Sequence, residues 1–174
     1  LLGATSGAAF GAALAILLGA GSRSIALLSF LGGILAVGLV FLISRRVKGN
    51  QVVGLVLSSI MIGSLFTSGT SFIKLAADPN NELPAITYWL MGSLSGATVK
   101  DLRFVILPTA LGLVPLLLLR WRINILTLGD DEARTMGVHP GRIRLVVILC
   151  ATLVTAAAVS VTGMIGWVGL VIPH

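Results

Sequence analysis

The chain has 174 residues, a formal net charge of +6, only 10% charged residues and a mean hydropathy of +1.06. Soluble domains carry about 25% charged residues, so this composition excludes a water-soluble globular domain and indicates an integral membrane protein. The basic excess lies between apolar runs rather than in one patch, which fits topology signals and argues against nucleic-acid binding.

A helix that crosses a bilayer needs about 20 apolar residues. By that measure the sequence predicts spans over 1–20, 25–44, 52–73, 104–119 and 145–161, with a sixth beginning at 166–174. Leu1 stands inside an apolar stretch and no signal peptide is visible, so the sequence reads as an internal stretch of a longer permease-like chain. In the first span, Gly3, Gly7, Gly11 and Ala15 repeat a small residue every fourth position, a pattern that lets helix backbones approach closely. Packing within the chain is a simpler use of it than a dimer interface.

The third span is rich in hydroxyls: Ser58, Ser59, Ser64, Thr67, Ser68, Thr70 and Ser71. They can bond their own helix backbone or form the wall of a wet path, and the residues leave both readings open. Between spans three and four, "DPNNELPA" is turn material. "ITYWLMGSLSG" then predicts a short helix at the outer face, with Tyr88, Trp89 and Met91 as interface anchors. The fourth span carries Pro108 and Pro115 and is expected to kink. The apolar region 145–173 is too long for one helix, and Gly163 and Gly166 bracket "GMIG" as a turn. Cys150 is the one cysteine, so no intramolecular disulfide can form.

Cations set the orientation. The connections holding Arg45, Arg46 and Lys48, and Arg120, Arg122, Arg134, Arg142 and Arg144, together contain eight of the twelve Lys and Arg. The positive-inside rule places 45–50 and 120–144 in the cytoplasm.

Within 120–144 lies "TLGDDEARTMGV" (127–138), which holds three of the six acids of the chain. Asp130 suits a helix N-cap, with Asp131 and Glu132 in the first turn, where negative charge complements the helix dipole. Gly137 suits a left-handed helix end and Pro140 the first turn of a following helix. The segment thus predicts two short helices joined at a bend. Composition leaves open whether this is a solvated loop or a docking knob.

No Asp, Glu, Lys, Arg or His falls within the five spans. This weakens a proton-coupled carrier, while a sodium-coupled one could use hydroxyls and carbonyls. No phosphate loop, metal cluster or nucleophile constellation appears, so neither catalysis nor a metal site is expected of this chain.

Three blocks now carry a resemblance. "YWLMGSLSGA" (88–97), "LTLGDDEARTMGV" (126–138) and "GMIGWVGLVIPH" (163–174), preceded by "LLGATSGAAFGAALA" (1–15), resemble the FecCD family of ABC importer permeases, which includes the vitamin B12, haem and iron–siderophore importers. The resemblance implies an all-α, polytopic transmembrane bundle of the type II importer fold, with this sequence running from the third helix to the start of the eighth. It implies a homodimer in the plasma membrane of a prokaryote, two ABC ATPase subunits below that carry ATP and Mg, and a periplasmic or lipid-anchored binding protein above. This chain would bind no cofactor of its own.

By the same resemblance, Gly129, Asp130, Asp131, Glu132, Ala133, Arg134, Met136 and Gly137 would couple to the ATPase. Ser59, Ser64, Thr67 and Ser68 would line the translocation path, and Asn50 and Gln51 would mark a cytoplasmic gate. Gly3, Gly7, Gly11, Gly163 and Gly166 are expected in helix packing. An iron–siderophore is the first expectation for cargo, with haem, cobalamin or a metal oxyanion open. A sodium-coupled secondary transporter and a non-transporting membrane scaffold are the competing classes.

Overall fold

A computed structural model describes residues 3–46, 51–93 and 99–165. These residues form α1 (Ala4–Leu17), α2 (Ser22–Ser44), α3 (Gln51–Ala76), α4 (Glu82–Met91), α5 (Val99–Leu118), α6 (Arg120–Ile125), α7 (Asp130–Thr135) and α8 (Pro140–Thr162), with a single 3₁₀ turn at Leu126–Leu128. Among the described residues there is no strand, and the chain is a polytopic helical bundle.

Three helices have membrane length and apolarity: Ser22–Ser44, Val52–Ala76 and Pro140–Thr162. Of the other two expected spans, the first is the shorter apolar helix Ala4–Leu17, and the fourth lies in the 20-residue α5. The 14 residues of α1 extend only about 21 Å, against a hydrocarbon core of about 30 Å. Its downstream end is a definite stop. Gly19 N–H donates to Ile16 O (2.9 Å) and Ala20 N–H to Ala15 O (3.0 Å), the paired bonds that close a helix, and the chain turns straight into α2. α5 continues as helix through Pro108 and Pro115. Each proline has no N–H to give the carbonyl four residues earlier.

The fifth span also differs from its predicted start. It begins at Pro140 rather than 145, so Arg142 and Arg144 lie in its first turns. Proline at the first helical position is preset for the helix. Long cationic side chains can lie along the helix and reach water at the interface, so they need not sit in a loop.

α1 is the hub, packed against α2, α3, α4 and α8. Its buried residues are Ala4, Gly7, Ala8, Ala9, Gly11, Ala12, Ala13 and Ala15, none larger than alanine. The backbones of α1 and α2 meet directly. A Cβ on Gly7 would fall on Gly32 O and lie 2.5 Å from Ala36 Cβ, and one on Gly11 would fall on Leu28 O. A Cβ on Gly33 would lie 3.2 Å from both Ala4 O and Ala156 Cβ, so α2 is held between α1 and α8. Gly3, which precedes α1, faces Gly63 and Ser59 of α3. The small-residue stripe therefore serves contacts within the chain.

Larger side chains fill two clusters. At the end where α1 stops, Ala13, Ile73, Ala77 and Ile86 pack together, and this fixes α4 on the bundle through Ile86. Between α2 and α3, Ala36, Val40, Leu55 and Ile62 form the second. Before α4, Asp78 organises the turn: its Oδ1 accepts from Asn80 N–H (3.0 Å), its Oδ2 from Asn81 Nδ2 (3.1 Å), and its own N–H donates to Glu82 Oε2 (3.1 Å).

Gly11→Val should destabilise the full-length protein by about 1–3 kcal/mol, because the added atoms meet backbone that cannot give way. Gly38→Ala is the control: a Cβ there meets nothing within 4 Å, and alanine is the better helix former. Thermal unfolding in detergent should show a lowered midpoint for the first variant and an equal or higher one for the second.

Candidate functional site

The connection between α5 and α8 is a small folded unit. α5 runs almost directly into α6, with Ile123 N–H donating to Leu119 O (2.9 Å). The chain then reverses at Gly129, whose backbone (φ 123°, ψ 161°) lies in a region essentially restricted to glycine. Gly129 is thus the residue that precedes α7, and Asp130 is the first residue of the helix rather than its cap. The expected cap loses because the reversal demands a conformation that aspartate does not adopt. The Glu132 carboxylate folds back so that a Cβ on Gly129 would fall on its Oε2, although that exposed side chain could swing aside, so the backbone conformation alone demands glycine.

α7 ends as predicted from Gly137 (φ 75°). Gly137 N–H donates to Arg134 O (3.0 Å) and Val138 N–H to Ala133 O (2.9 Å). This pair of bonds normally comes with an apolar contact across the helix end. Here Ala133 and Val138 join Ile125 and Ile143 in a buried cluster, packed by Leu119, Ile123, Leu126 and Val147. The knob therefore has a core of its own. It differs from the prediction in a second respect: its two short helices are α6 and α7, while Pro140 opens the long α8.

The outside of the knob carries the chemistry. Glu132, Arg134, Thr135, Met136 and Gly137 are exposed, with Met136 58% accessible, whereas Ala133 is fully buried. Ala133 thus holds the core, and its neighbours form the surface. Asp130 and Asp131 are the first two residues of α7. Two hollows flank the unit. One of about 250 Å³ lies between Trp121, Arg122, Met136 and Arg142. The other, about 620 Å³, lies between the end of α2 and the start of α8.

α3 resolves the hydroxyl question by faces. Ser64, Thr67 and Ser68 are exposed on one side. Ser59 is half-buried, and lies about 140° around the helix from Ser64 and about 80° from Thr67; its backbone carbonyl faces Gly3. Several hydroxyls bond their own helix: Ser59 to Val56 O (2.7 Å), Thr67 to Gly63 O (2.8 Å) and Ser71 to Thr67 O (3.1 Å). Thr67 thus bonds its own helix while standing on the exposed side. Gln51 begins α3, and Asn50 lies outside the described residues.

At the opposite end, Gly163 terminates α8 against α4. A Cβ on Gly163 would fall on Trp89 O and lie 2.9 Å from Gly92 Cα. Ser93 N–H donates to Thr162 O (2.8 Å). Sequence reasoning singled out Gly163 but missed Gly92 and Ser93. Their signal was a glycine placed directly after an aromatic-rich helix end. Gly166 lies outside the described residues.

Gly137→Val should cost the knob about 1–2 kcal/mol through left-handed strain, with Gly137→Asn close to neutral. Amide hydrogen exchange over 130–138 in the full-length protein should rise in the valine variant alone. Equal protection in both variants would mean that the bend does not depend on this conformation.

The FecCD transport family model matches residues 1–174. A protein from Helicobacter pylori (strain ATCC 700392 / 26695) named "Probable iron chelatin transport system permease protein" is 43% identical over 174 residues, 100% of this chain and 52% of the relative. The molybdate import system permease protein MolB of Haemophilus influenzae is 36% identical over all of this chain and 52% of its own length. The cobalamin import system permease protein BtuC of Halobacterium salinarum is 34% identical over 179 residues, 100% of this chain and 47% of the relative. A solved structure described as "An inward-facing conformation of a putative metal-chelate type ABC transporter" superposes with a TM-score of 0.92 at 36% identity, covering 99% of this chain and 55% of the other. The chain spans about half the length of the curated relatives it matches.

Proposed function

The chain belongs to the FecCD transport family, and on that premise we propose that it is part of the permease subunit of an ATP-binding-cassette importer for a metal chelate. The observation that carries this reading is the knob between α5 and α8: a separately cored helix pair presenting Glu132, Arg134 and Met136 outward. A solvated loop needs no core, whereas a unit that passes a push needs rigidity. The knob's core includes Ile143 and Val147 of α8. At its other end α8 meets α4 through Thr162 and Gly163. A displacement of the knob would therefore reach the far face through a helix about 34 Å long.

In this reading 45–50 and 120–144 face the cytoplasm of a prokaryote, across its plasma membrane, and α4 faces outward. Two ATPase subunits hold ATP and Mg and seat the knob, a second permease copy completes the path, and a binding protein delivers cargo. This chain hydrolyses nothing. The exposed hydroxyl face of α3, with Ser64, Thr67 and Ser68, lines the path, and residues 50–51 lie near its cytoplasmic gate. Names among the relatives mention iron chelatin, molybdate and cobalamin. An iron–siderophore is the first cargo to test.

Topology is tested with single cysteines in a Cys150→Ser background of the full-length protein. Cysteine at the exposed Asn80 should react with an impermeant reagent in intact cells, and cysteine at the exposed Thr135 only after permeabilisation. The reverse pattern would invert the orientation.

Coupling is tested in proteoliposomes with the ATPase and binding protein. Glu132→Lys should lower uptake by about tenfold, the size of losing on the order of 1.4 kcal/mol of docking energy, with the permease still assembled in the membrane. Uptake and ATP hydrolysis measured together should show hydrolysis reduced or uncoupled. Normal uptake with normal stimulation of hydrolysis would return the segment to a solvated loop. Uptake that survives ATP depletion but collapses with the sodium gradient would indicate a secondary carrier.

A further inference from the structure

The 620 Å³ hollow beside the knob has an unusual composition. Its rim carries Arg45 from the end of α2, Arg134 from α7, and His139 and Arg142 at the start of α8. All four residues are exposed. Its floor is hydrocarbon, from Phe41, Leu145 and Val146. The Arg45 guanidinium lies 5.4 Å from the centre of the Phe41 ring, so charge and hydrocarbon meet at one place.

The floor does not stop there. One to two turns deeper, the same faces of α2 and α8 form a second hollow of about 280 Å³, lined by Ile34, Val37, Leu149 and Leu153. Phe41 follows Gly38 by one turn on α2, and Leu145, Leu149 and Leu153 succeed one another at four-residue steps on α8, so the two hollows lie along one groove. Two glycines leave it open. A Cβ on Gly38 or on Gly141 would meet nothing within 4 Å, so neither glycine is there to allow a close approach of helices. From Arg45 to Ile34 the groove runs about 16 Å, which is close to the thickness of one leaflet's hydrocarbon, about 15 Å.

We propose that this groove binds an anionic phospholipid. Its phosphate would sit among Arg45, Arg142 and Arg134, and one acyl chain would lie along the trough past Gly38 to Ile34 and Leu153. The orientation proposed above makes this a lipid of the cytoplasmic leaflet, where anionic headgroups are attracted to basic residues at the membrane boundary. A soluble anion would leave the trough unfilled. A phospholipid supplies both charge and hydrocarbon at the spacing found. The inference does not depend on cargo or on coupling to an ATPase, and its test measures no transport.

The experiment uses the full-length protein, purified in mild detergent, delipidated, and titrated with phosphatidylglycerol or phosphatidylcholine while retention is followed by native mass spectrometry. The wild type should retain phosphatidylglycerol in preference to phosphatidylcholine, and glycerol phosphate should not displace it. Arg45→Gln with Arg142→Gln should weaken retention by about twenty-fivefold, roughly fivefold for each guanidinium removed. Gly38→Phe keeps every charge and fills the trough, so it should weaken retention as well. Helical circular dichroism and the thermal midpoint establish that each variant is folded, and Gly38→Ala gives a milder obstruction should the phenylalanine variant fail. Retention unchanged in both the arginine and the trough variants would overturn the proposal and mean that another part of the protein covers the groove. Loss in the arginine variant with none in either trough variant would overturn it too, in favour of a soluble anion.

Discussion

The bundle depends on the contact between the backbones of α1 and α2. Helices in lipid gain little from hydrophobic burial, because the tails they displace are as apolar as their own side chains. What remains is dispersion, which rewards close approach. At Gly7, Gly11 and Gly32 no side chain intervenes, and the main chain of one helix rests on the carbonyls of the other. A helix this thin leaves room for α3, α4 and α8 around the same axis. That is why Ala8, Ala12 and Ala15 are completely buried although each is small.

The place where α1 ends matters as much as its thinness. Because it stops at Leu17, the chain turns early, and Ile16 and Leu17 pack against the cluster that holds Ile86 of α4. Had α1 run on for two more turns, α4 could not sit over its end. The same end receives the close of α8, where Thr162 and Gly163 meet Ser93 and Gly92. The opposite end is built on different terms. There the packing belongs to the cluster of Ile125, Ala133, Val138 and Ile143, and α8 contributes to both ends. The site proposed for coupling is thus attached to the bundle through α5, which runs into α6, and through α8, whose Ile143 and Val147 enter its cluster.

The helical class and the spans were legible because hydropathy is a local property: twenty apolar residues in lipid have few alternatives to a helix. The ends were less legible. Arg142 and Arg144 marked a loop by composition, yet they lie in the first turns of α8, because a long cationic side chain separates its charge from its Cα by several ångströms. The α1 stripe was visible, but its partners Gly32 and Gly33 were not, because pairing between helices leaves no pattern in one dimension. In the knob, the glycine at 137 announced the end of α7 through its φ requirement. At the beginning of α7 a good capping residue, Asp130, stood next to a glycine, and the reversal of the chain decided for Gly129. Along α3 the hydroxyls could be counted, but not that Ser59 is half-buried while Ser64, Thr67 and Ser68 are exposed.

The acids that first drew attention to 127–138 can now be given separate places. Asp130 and Asp131 are the first two residues of α7. Glu132 is on the exposed face of the knob, with its carboxylate beside Gly129. Ala133 has the opposite place. It is fully buried, and the carbonyl it presents to Val138 closes the end of α7. The left-handed turn at Gly137 and the buried cluster around Ala133 hold six residues helical, a length at which an isolated helix would not persist in water.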